Sequence, residues 1–466
     1  MIGYIGGVRT PSRKELSDRI IDAEVKDLAF NGKSIGEVDG KIVFLDGGLP
    51  GEIVRAEIIR RKPRYDIAHV TEIIRRGPGR VAAPCRHFDI CGGCVWQDLG
   101  YEEQLRYKRK QIIDCLEHIG RFSDIEVADT LGVENPFFYR NKMEFSFNRD
   151  DAAGFVLGLH RRGHFDRIFN VEECLLQSQL SNQLVAWFRE FIKERQIPVY
   201  DVTAHDGFVR FLVIREGKNT GQVMLNIVTT EWKIPDVEEM VRQVTRRFPK
   251  VKTIVQNINS AKSNIARGEA EYLLYGDGFI EEKILGYKFR IYANSFFQTN
   301  TLQAEKLYAT ALAMLELASE ESLLDLYCGT GSIGICASRM VREVTGIELE
   351  PSAIKAAEQN ALLNGIDNIR FFTGSVQEFL AERKEILSGI TVAVVDPPRA
   401  GLHPKALKGL TALGLERMVY VSCNPATFAR DAAELRLAGY RLCRIIPVDM
   451  FPHTMHIELV ASFRKQ

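Results

Sequence analysis

One cysteine of the sequence is placed where it could act as a nucleophile. Cys423 follows the apolar run MVYVS in the stretch VSCNPATFARD, and Asn424 and Pro425, which end a strand, come directly after it. A structural cysteine normally lies inside an apolar run, whereas a cysteine at the exit of the run can be presented to a ligand. Position alone leaves both interpretations open, a reactive thiol and a small core residue.

Two carboxylic acids occupy comparable positions. Asp396 ends an apolar run in VVDPPRAG, and the two prolines after it restrict the backbone, so that the carboxylate has a defined direction. Glu458 opens an otherwise apolar strand in HTMHIELVASF, where a lone carboxylate is expected to have a raised pKa. The alternatives are a proline-rich turn and a solvated edge glutamate. We interpret His453 and His456 as positioning or surface residues rather than as a metal-binding pair.

A glycine-rich segment, DLYCGTGSIG, fits a nucleotide-binding turn. Gly329, Gly331 and Gly334 match G-x-G-x-x-G, and Glu348 follows at about the distance expected of an acid that binds ribose hydroxyls. Enzymes that use nicotinamide cofactors and enzymes that use S-adenosylmethionine both have such turns, so the pattern does not separate them. Asp325 favours the methyl donor, and a plain turn between a strand and a helix is the other alternative.

Four further cysteines form a possible metal-ligand set. Cys85, Cys91 and Cys94 have C-x5-C-x2-C spacing in PCRHFDICGGC, and Cys174 in NVEECLLQS can supply a fourth thiolate. Four thiolates suit either zinc or an iron–sulfur cluster, and spacing alone does not choose between them. The remaining cysteines lie in apolar surroundings and are predicted to be core or near-core residues: Cys115, Cys328, Cys336 and Cys443.

The candidate catalytic residues follow predicted strands of one sheet. From about residue 303, short β-branched runs alternate with helical segments, which predicts a parallel sheet with helices on both faces. Ligands bind such sheets beyond the carboxyl ends of the strands. DLYCGTGSIG, VVDPPRAG and VSCNP all fall at predicted strand ends, so we expect them to border one site.

The N-terminal part of the sequence has a pattern different from that of the predicted parallel sheet. Short strands such as KIVFL, EIVRAEII and IAHVTEII alternate with glycine-rich turns, which is typical of a small β-barrel. Cations exceed acids over residues 51 to 80 and could follow a phosphate backbone, although a solvated charged face is the usual alternative. These cations are Arg55, Arg60, Arg61, Lys62, Arg64, Arg75, Arg76 and Arg80.

Composition limits the class of protein. The 466 residues are 45% hydrophobic and 26% charged with a formal net charge of zero, so nucleic-acid affinity would have to come from local patches. No apolar run approaches the ~20 residues that cross a bilayer, and the first residues are too polar for a secretory signal. We therefore expect a cytoplasmic protein without a membrane partner, whose nine cysteines do not form a disulfide framework.

Taken in order, several segments resemble the RNA (uracil-5-)-methyltransferases. The segments DLYCGTG, GIE, DPPRAG, SCNPATFARD and FPHTMHIE occur in that family's order. The barrel resembles a TRAM domain, and the cysteine set resembles that of the branch that methylates ribosomal RNA. The resemblance covers nearly the whole chain.

The resemblance implies an α/β fold with four parts. They are an N-terminal extension (1–19), an OB-like TRAM barrel (20–78), an α+β central domain with the iron–sulfur cysteines (79–285) and a Rossmann-like methyltransferase domain that depends on S-adenosylmethionine (286–466). Within the central part, about 97–125 is expected to pack on the catalytic domain.

The resemblance also implies roles for the site residues. Cys423 matches the nucleophile that adds to C6 of uracil, and Glu458 matches the general base that removes the C5 proton. Because Cys423 precedes a helix N-terminus, we expect its pKa to be lowered. The residues that match the family's contacts with S-adenosylmethionine are Gln298, Tyr327, Glu348 and Asp396. The residues that match ligands of a [4Fe–4S] cluster are Cys85, Cys91, Cys94 and Cys174. Ser375 stands where relatives often have an acid.

The implied activity is methylation of C5 of a uridine in 23S ribosomal RNA by a monomeric enzyme. The same chemistry on tRNA is the alternative substrate. Two other classes remain open at this point, a radical enzyme like those of tRNA methylthiolation and a non-catalytic RNA-binding assembly factor. The radical enzymes use C-x3-C-x2-C spacing, and neither class gives a role to Cys423.

Overall fold

The computed structural model of the chain describes residues 19–30, 32–123, 125–150 and 152–466. The predicted extension, apart from residue 19, lies outside the described residues. The chain divides into two compact units. One contains the residues up to Pro84 together with Val95–Tyr107 and His453–Met455, and the other contains Cys85–Cys94, Lys108–Pro452 and His456–Gln466.

Five strands of the first unit form a closed barrel in the order β1-β2-β3-β5-β4. Their bounds are β1 Ile20–Leu28, β2 Ser34–Val38, β3 Lys41–Asp46, β4 Ile53–Arg61 and β5 Tyr65–Arg75. Alternate side chains of β4 point inward, so that Val54, Ala56 and Ile58 are buried in the barrel core. The predicted small barrel is therefore confirmed.

Among the cations of the barrel region, Arg55 and Arg80 are engaged by carboxylates. Arg80 donates from Nε to buried Glu52 over 2.5 Å and from Nη1 to Asp98 over 2.6 Å. Arg55 pairs with Asp22 and Glu72. Arg80 therefore holds the segment after the barrel in place and is not part of a phosphate-binding surface.

The second unit contains a seven-stranded sheet in the order β12-β11-β10-β9-β6-β7-β8. Its strands are β6 Lys142–Asp150, β7 Gly154–His160, β8 Ile168–Asn170, β9 Val209–Glu216, β10 Val223–Thr229, β11 Val251–Ile258 and β12 Ala270–Tyr275. The helices Gln179–Glu194 and Val237–Arg247 contribute Leu184, Phe188 and Met240 to the hydrophobic core that they share with the sheet. This region is α+β, as the resemblance implies.

A second seven-stranded sheet in this unit has the order β17-β16-β15-β18-β19-β21-β20. A separate hairpin precedes it in the chain, formed by β13 Phe279–Ile284 and β14 Tyr287–Tyr292. The strands of the sheet are β15 Ser322–Leu326, β16 Glu343–Glu348, β17 Ile369–Thr373, β18 Val392–Val395, β19 Arg417–Ser422, β20 Tyr440–Val448 and β21 Glu458–Lys465. The first five strands of the sheet are parallel, and β21 is antiparallel to both of its neighbours. The predicted Rossmann-like fold is confirmed, and an antiparallel pair stands where a nicotinamide-binding fold would have a second parallel half.

Six α-helices and one 3₁₀ helix accompany this sheet within the described part of the chain. They are Thr301–Leu315, Ser332–Ala337, Ser338–Met340 (3₁₀), Pro351–Leu363, Val376–Glu382, Pro404–Ala412 and Pro425–Leu437. Within the second unit, Ile112 and Leu116 of the helix Tyr101–His118 share a hydrophobic core with β15, β18 and β19. Among the residues that the structure describes, no helix combines the length and the apolarity needed to cross a membrane.

Three of the four cysteines predicted to be core residues, Cys115, Cys328 and Cys336, are buried. The prediction is wrong for Cys443, which is exposed. Cys443 lies at an irregularity in the pairing of β20 with β21, between Leu442 and Arg444, on the edge strand of the sheet. The preceding side chain, Leu442, is buried, so strand alternation places the Cys443 thiol on the opposite, exposed face of the strand, the face that also carries Arg441.

Candidate active site

The carboxyl ends of β15, β18 and β19 and the start of β21 border a cavity of about 710 Å³. All of its lining residues belong to the second unit. The cavity is lined by each predicted catalytic and cofactor-binding residue: Gln298, Tyr327, Glu348, Asp396, Cys423 and Glu458. Phe296, Arg267, Ser375, Arg399 and Phe451 also line it. The structure therefore places in one site residues that lie up to 160 positions apart (298 to 458) in the sequence.

The glycine-rich turn after β15 has the backbone conformation that its sequence predicts. Gly329 and Gly331 have φ values of 56° and 77°, which favour glycine. A Cβ at Gly331 would lie 2.7 Å from the ring of Phe371, so a side chain there would have to displace that ring. The turn can therefore bring its backbone close to a bound ligand.

Two carboxylates fix this turn. Asp325, which is buried at the end of β15, accepts a hydrogen bond from Gly334 N over 2.9 Å. Burial raises the pKa of Asp325 to about 7, and the nearby carboxylates of Asp396 and Glu348 contribute to that rise. Glu348 accepts from Gly329 N over 3.1 Å and from Leu349 N over 2.7 Å, so it joins the turn to the end of β16.

Cys423 lies between a strand and a helix. Strand β19 ends at Ser422, and Asn424 caps the helix Pro425–Leu437 by accepting from Ala426 N over 3.1 Å. The amide of Asn424 also donates to the backbone oxygen of Arg399 over 2.9 Å, which ties this turn to the loop after β18. The half-buried thiol is thereby presented to the cavity.

The lowered pKa that we predicted for Cys423 is wrong. Burial, followed by the carboxyl groups of Glu458 and Asp396, raises the pKa of the thiol to about 11. Arg399 acts in the opposite direction, both by its charge and by a hydrogen bond, but its effect is smaller. Desolvation and two neighbouring carboxylates outweigh every influence that favours the thiolate in the free protein.

The raised pKa predicted for Glu458 is confirmed. Glu458 is buried at the first position of β21, and burial together with Asp396 raises its pKa to about 8 against the opposing charge of Arg399. Burial also raises the pKa of Asp396 to about 7. Two interacting carboxyl groups thus border the cavity beside the thiol, and both titrate near neutral pH.

Arg399 is a site residue that our sequence analysis did not single out, although it lies within DPPRAG. Its Nη2 is 2.7 Å from Nδ1 of His456, and it also hydrogen bonds to the Cys423 thiol. Burial and the charge of Arg399 lower the pKa of His456 to about 4, so the imidazole is neutral and Nδ1 can accept. His456 is therefore a positioning residue for Arg399. His453, in the first unit, is buried with Nδ1 3.2 Å from Nε2 of Gln104.

Residues 449–452, between β20 and β21, form a strap whose four backbone oxygens all accept from buried side chains. Gln303 donates to the oxygen of Asp449 over 3.1 Å, and Asn300 donates to that of Met450 over 3.0 Å. Lys108 donates to the oxygen of Phe451 over 3.0 Å, and Tyr139 donates to that of Pro452 over 3.1 Å. Lys108 also forms a buried ion pair of 2.6 Å with Asp449. The strap carries Phe451 to the cavity, and breaking the ion pair would leave a charge buried without its counter-ion.

The four predicted metal-ligand cysteines all lie in the second unit. The loop 85–94 contacts the β7–β8 hairpin, where Gly92 N donates to His160 O over 3.1 Å and Arg162 donates to Cys94 O over 3.0 Å. Burial raises the pKa of Cys174 to about 11, and Cys91 and Cys85 add to that rise because they are close to it. Within the described residues no three His, Cys, Asp or Glu side chains meet in a geometry that could hold a metal ion. Cys85, Cys91 and Cys174 are thus near one another, but in the described part of the chain they do not form a preassembled metal site.

Two family models and several relatives match the chain. A model of the family tRNA (Uracil-5-)-methyltransferase matches residues 100–465, and a model of the TRAM domain matches residues 18–71. The chain is 40% identical to an uncharacterized RNA methyltransferase of Chlorobaculum tepidum, with 96% of each chain covered. It is 37% identical to one of Halalkalibacterium halodurans, with 95% of this chain and 96% of the relative covered.

A solved structure is similar over nearly the whole chain. It is the tRNA (uracil-54, C5)-methyltransferase of Pyrococcus abyssi in complex with S-adenosyl-L-homocysteine, with a TM-score of 0.77 and 32% identity over 95% of this chain and all of that one. The protein is thus an S-adenosylmethionine-dependent RNA methyltransferase with a TRAM domain. Its fold, its glycine-rich turn and the family match over residues 100–465 lead to one conclusion: the chain belongs to the tRNA (uracil-5-)-methyltransferase family.

Proposed function

We propose that this enzyme methylates C5 of a specific uridine in 23S ribosomal RNA through a covalent adduct between Cys423 and C6. The observation that carries the proposal is that Cys423, Glu458 and Asp396 border the same cavity as the glycine-rich turn. A thiol and two carboxyl groups that titrate near neutral pH are the groups that addition and proton removal require.

The chemistry follows from the weak nucleophilicity of C5. S-Adenosylmethionine supplies an electrophilic methyl group. Once the Cys423 thiol has lost its proton to solvent, its sulfur adds to C6 and places the electron pair of the C5–C6 double bond on C5. A C5–methyl bond would then form as the bond between the methyl group and the donor's sulfonium breaks. Glu458 then accepts the C5 proton, the double bond re-forms, and the C6–S bond breaks to release the thiolate. Arg399 lies beside the sulfur and supports its negative charge at addition and at release.

The cofactor roles that we propose rest on position around the cavity. Glu348, next to the glycine-rich turn, would bind the ribose hydroxyls, and Tyr327 would line the methionine side. Asp396 would face the donor end near the base, and Gln298, from the segment before the helix Thr301–Leu315, would close the site. Ser375, at the start of the helix Val376–Glu382, lines the same cavity and replaces the acid of relatives with a hydroxyl.

We also propose that Cys85, Cys91, Cys94 and Cys174 hold a [4Fe–4S] cluster. Anaerobically purified protein is expected to contain about four irons with visible absorption, because four thiolates are the usual ligand set of such a cluster. Cys91→Ser should lose the iron and the colour, whereas Cys443→Ser, a change at an exposed thiol, should keep both. Stoichiometric zinc without iron in that preparation would contradict the assignment.

Comparison of RNAs from a deletion strain tests the substrate. We expect 5-methyluridine to disappear from one site of 23S ribosomal RNA and to return with the wild-type gene but not with Cys423→Ala. The measurement is nuclease digestion and mass spectrometry of separated ribosomal and transfer RNA. Loss from tRNA instead would favour the second candidate, which the tRNA-modifying Pyrococcus abyssi enzyme supports. Unchanged 5-methyluridine in both RNAs would refute the proposal.

A further inference from the structure

The tip of the β7–β8 hairpin, residues 161–167, exposes an aromatic ring among cations. Its sequence is RRGHFDR, with three arginines and a single acid, Asp166. Phe165 is 82% exposed, the largest exposed fraction among the large hydrophobic side chains of the described residues. Such exposure of a phenyl ring is unfavourable in water, and packing within the part of the chain that the structure describes does not explain it.

The tip is held in a defined conformation. Arg161 N donates to Arg167 O over 2.8 Å, and His164 N donates to Arg161 O over 3.0 Å. Arg162 fixes the tip to the cysteine loop, since its guanidinium donates to Phe88 O and Cys94 O, each over 3.0 Å. The same guanidinium lies 5.3 Å from the centre of the Phe88 ring. The exposed ring therefore stands on a fixed support.

The two other arginines of the tip leave their charges available to a partner. Arg161 and Arg167 are both exposed, and over residues 19–30, 32–123, 125–150 and 152–466 neither forms an ion pair with a carboxylate. His164 is exposed between them. The tip thus presents an exposed aromatic ring together with two exposed arginines.

We propose that this tip binds a single-stranded segment of the RNA substrate, with one base stacked on Phe165 and neighbouring phosphates contacted by Arg161 and Arg167. Stacking on one aromatic face and pairing of cations with phosphates are the two general means of binding single-stranded RNA. A single ring surrounded by charged residues offers too little apolar area for a protein interface, which favours RNA over a protein partner. The inference rests on the proposed function because it assigns a second contact to the same substrate.

The test uses the full-length protein and a 23S ribosomal RNA fragment. Phe165→Ala is expected to weaken RNA binding roughly tenfold or more, and Phe165→Tyr should restore it, because loss of one stacked base removes a contact of that size. Arg161→Gln and Arg167→Gln should each lower the slope of log affinity against log salt by about 0.7. The matched controls are Trp232→Ala, at an aromatic that is 46% exposed, and Arg246→Gln on the helix Val237–Arg247, and both should leave affinity and slope unchanged.

Steady-state kinetics show whether the tip contributes to RNA binding or to methyl transfer. The tip variants should raise KM for RNA and leave kcat and the affinity for S-adenosylmethionine unchanged. Unchanged RNA affinity and salt slope in all tip variants would overturn the proposal, as would loss of a protein partner with normal RNA binding. If the enzyme methylates no ribosomal RNA but Phe165→Ala still weakens its binding to single-stranded RNA, the proposed substrate fails and the binding site stands.

Discussion

Cys423→Ala is expected to lower the rate of methyl transfer by roughly 10⁴-fold or more, because removal of a covalent nucleophile leaves only binding contributions to catalysis. The variant should form no covalent complex with RNA. Its fold should be retained, since the cavity-facing thiol is only half-buried and alanine fits the same backbone. The measurement is transfer of a radiolabelled methyl group to RNA, with denaturing electrophoresis for the adduct.

RNA that carries 5-fluorouridine at the target gives the positive control. Fluorine cannot leave as the C5 proton does, so the wild-type enzyme should accumulate as a covalent complex, and peptide mapping should locate it at Cys423. Cys328 is the internal control, because it lines the same cavity but is buried with a pKa raised well above its usual range. Cys328→Ala should still form the adduct. An adduct at Cys328 or Cys336 would overturn the assignment of the nucleophile.

Glu458→Gln should fail one step later than Cys423→Ala. Glutamine keeps the size of the side chain but cannot take the C5 proton, so addition and methyl transfer should proceed and the enzyme should stall as a methylated protein–RNA adduct. Turnover should fall by roughly 10²- to 10⁴-fold, the range typical of a lost general base. The same electrophoretic assay, with labelled methyl donor and unmodified RNA, detects the stalled complex.

The pH dependence of adduct breakdown gives an independent check on Glu458. A base must be ionised to act, and burial raises the pKa of Glu458 to about 8. The rate of breakdown in the wild-type enzyme should therefore rise with pH, level off above about 8 and lose this dependence in Glu458→Gln. Normal turnover by Glu458→Gln would exclude this residue as the base. Asp396, whose carboxyl group also has a raised pKa and borders the cavity beside the thiol, would be tested next.

The sequence by itself determined where the site would form. In a parallel sheet, all carboxyl ends lie at one edge, so motifs that follow β15, β18 and β19 must meet once the strands pair. The local backbone was also determined, because Gly329 and Gly331 permit the positive φ of the turn. Short strands separated by glycine-rich turns likewise predicted the small barrel.

Only the tertiary structure decided which charges act on each group. The position of Cys423 before a helix predicted a lowered pKa. Burial raises the pKa instead, and so do Glu458 and Asp396, which are distant in the sequence but close in space. Arg80 appears cationic and free in the sequence, yet buried Glu52 engages it. Cys443 lies in apolar surroundings in the sequence, but on the edge strand its side chain points to the exposed face, opposite to that of buried Leu442.

Tertiary structure also decided how the strap at 449–452 is held. Its oxygens accept from Gln303, Asn300, Lys108 and Tyr139, which the sequence separates by more than a hundred residues from the strap. No local pattern predicts such contacts, because hydrogen bonds and electrostatic interactions depend on distances in space, whereas strand and turn formation depends on neighbours along the chain.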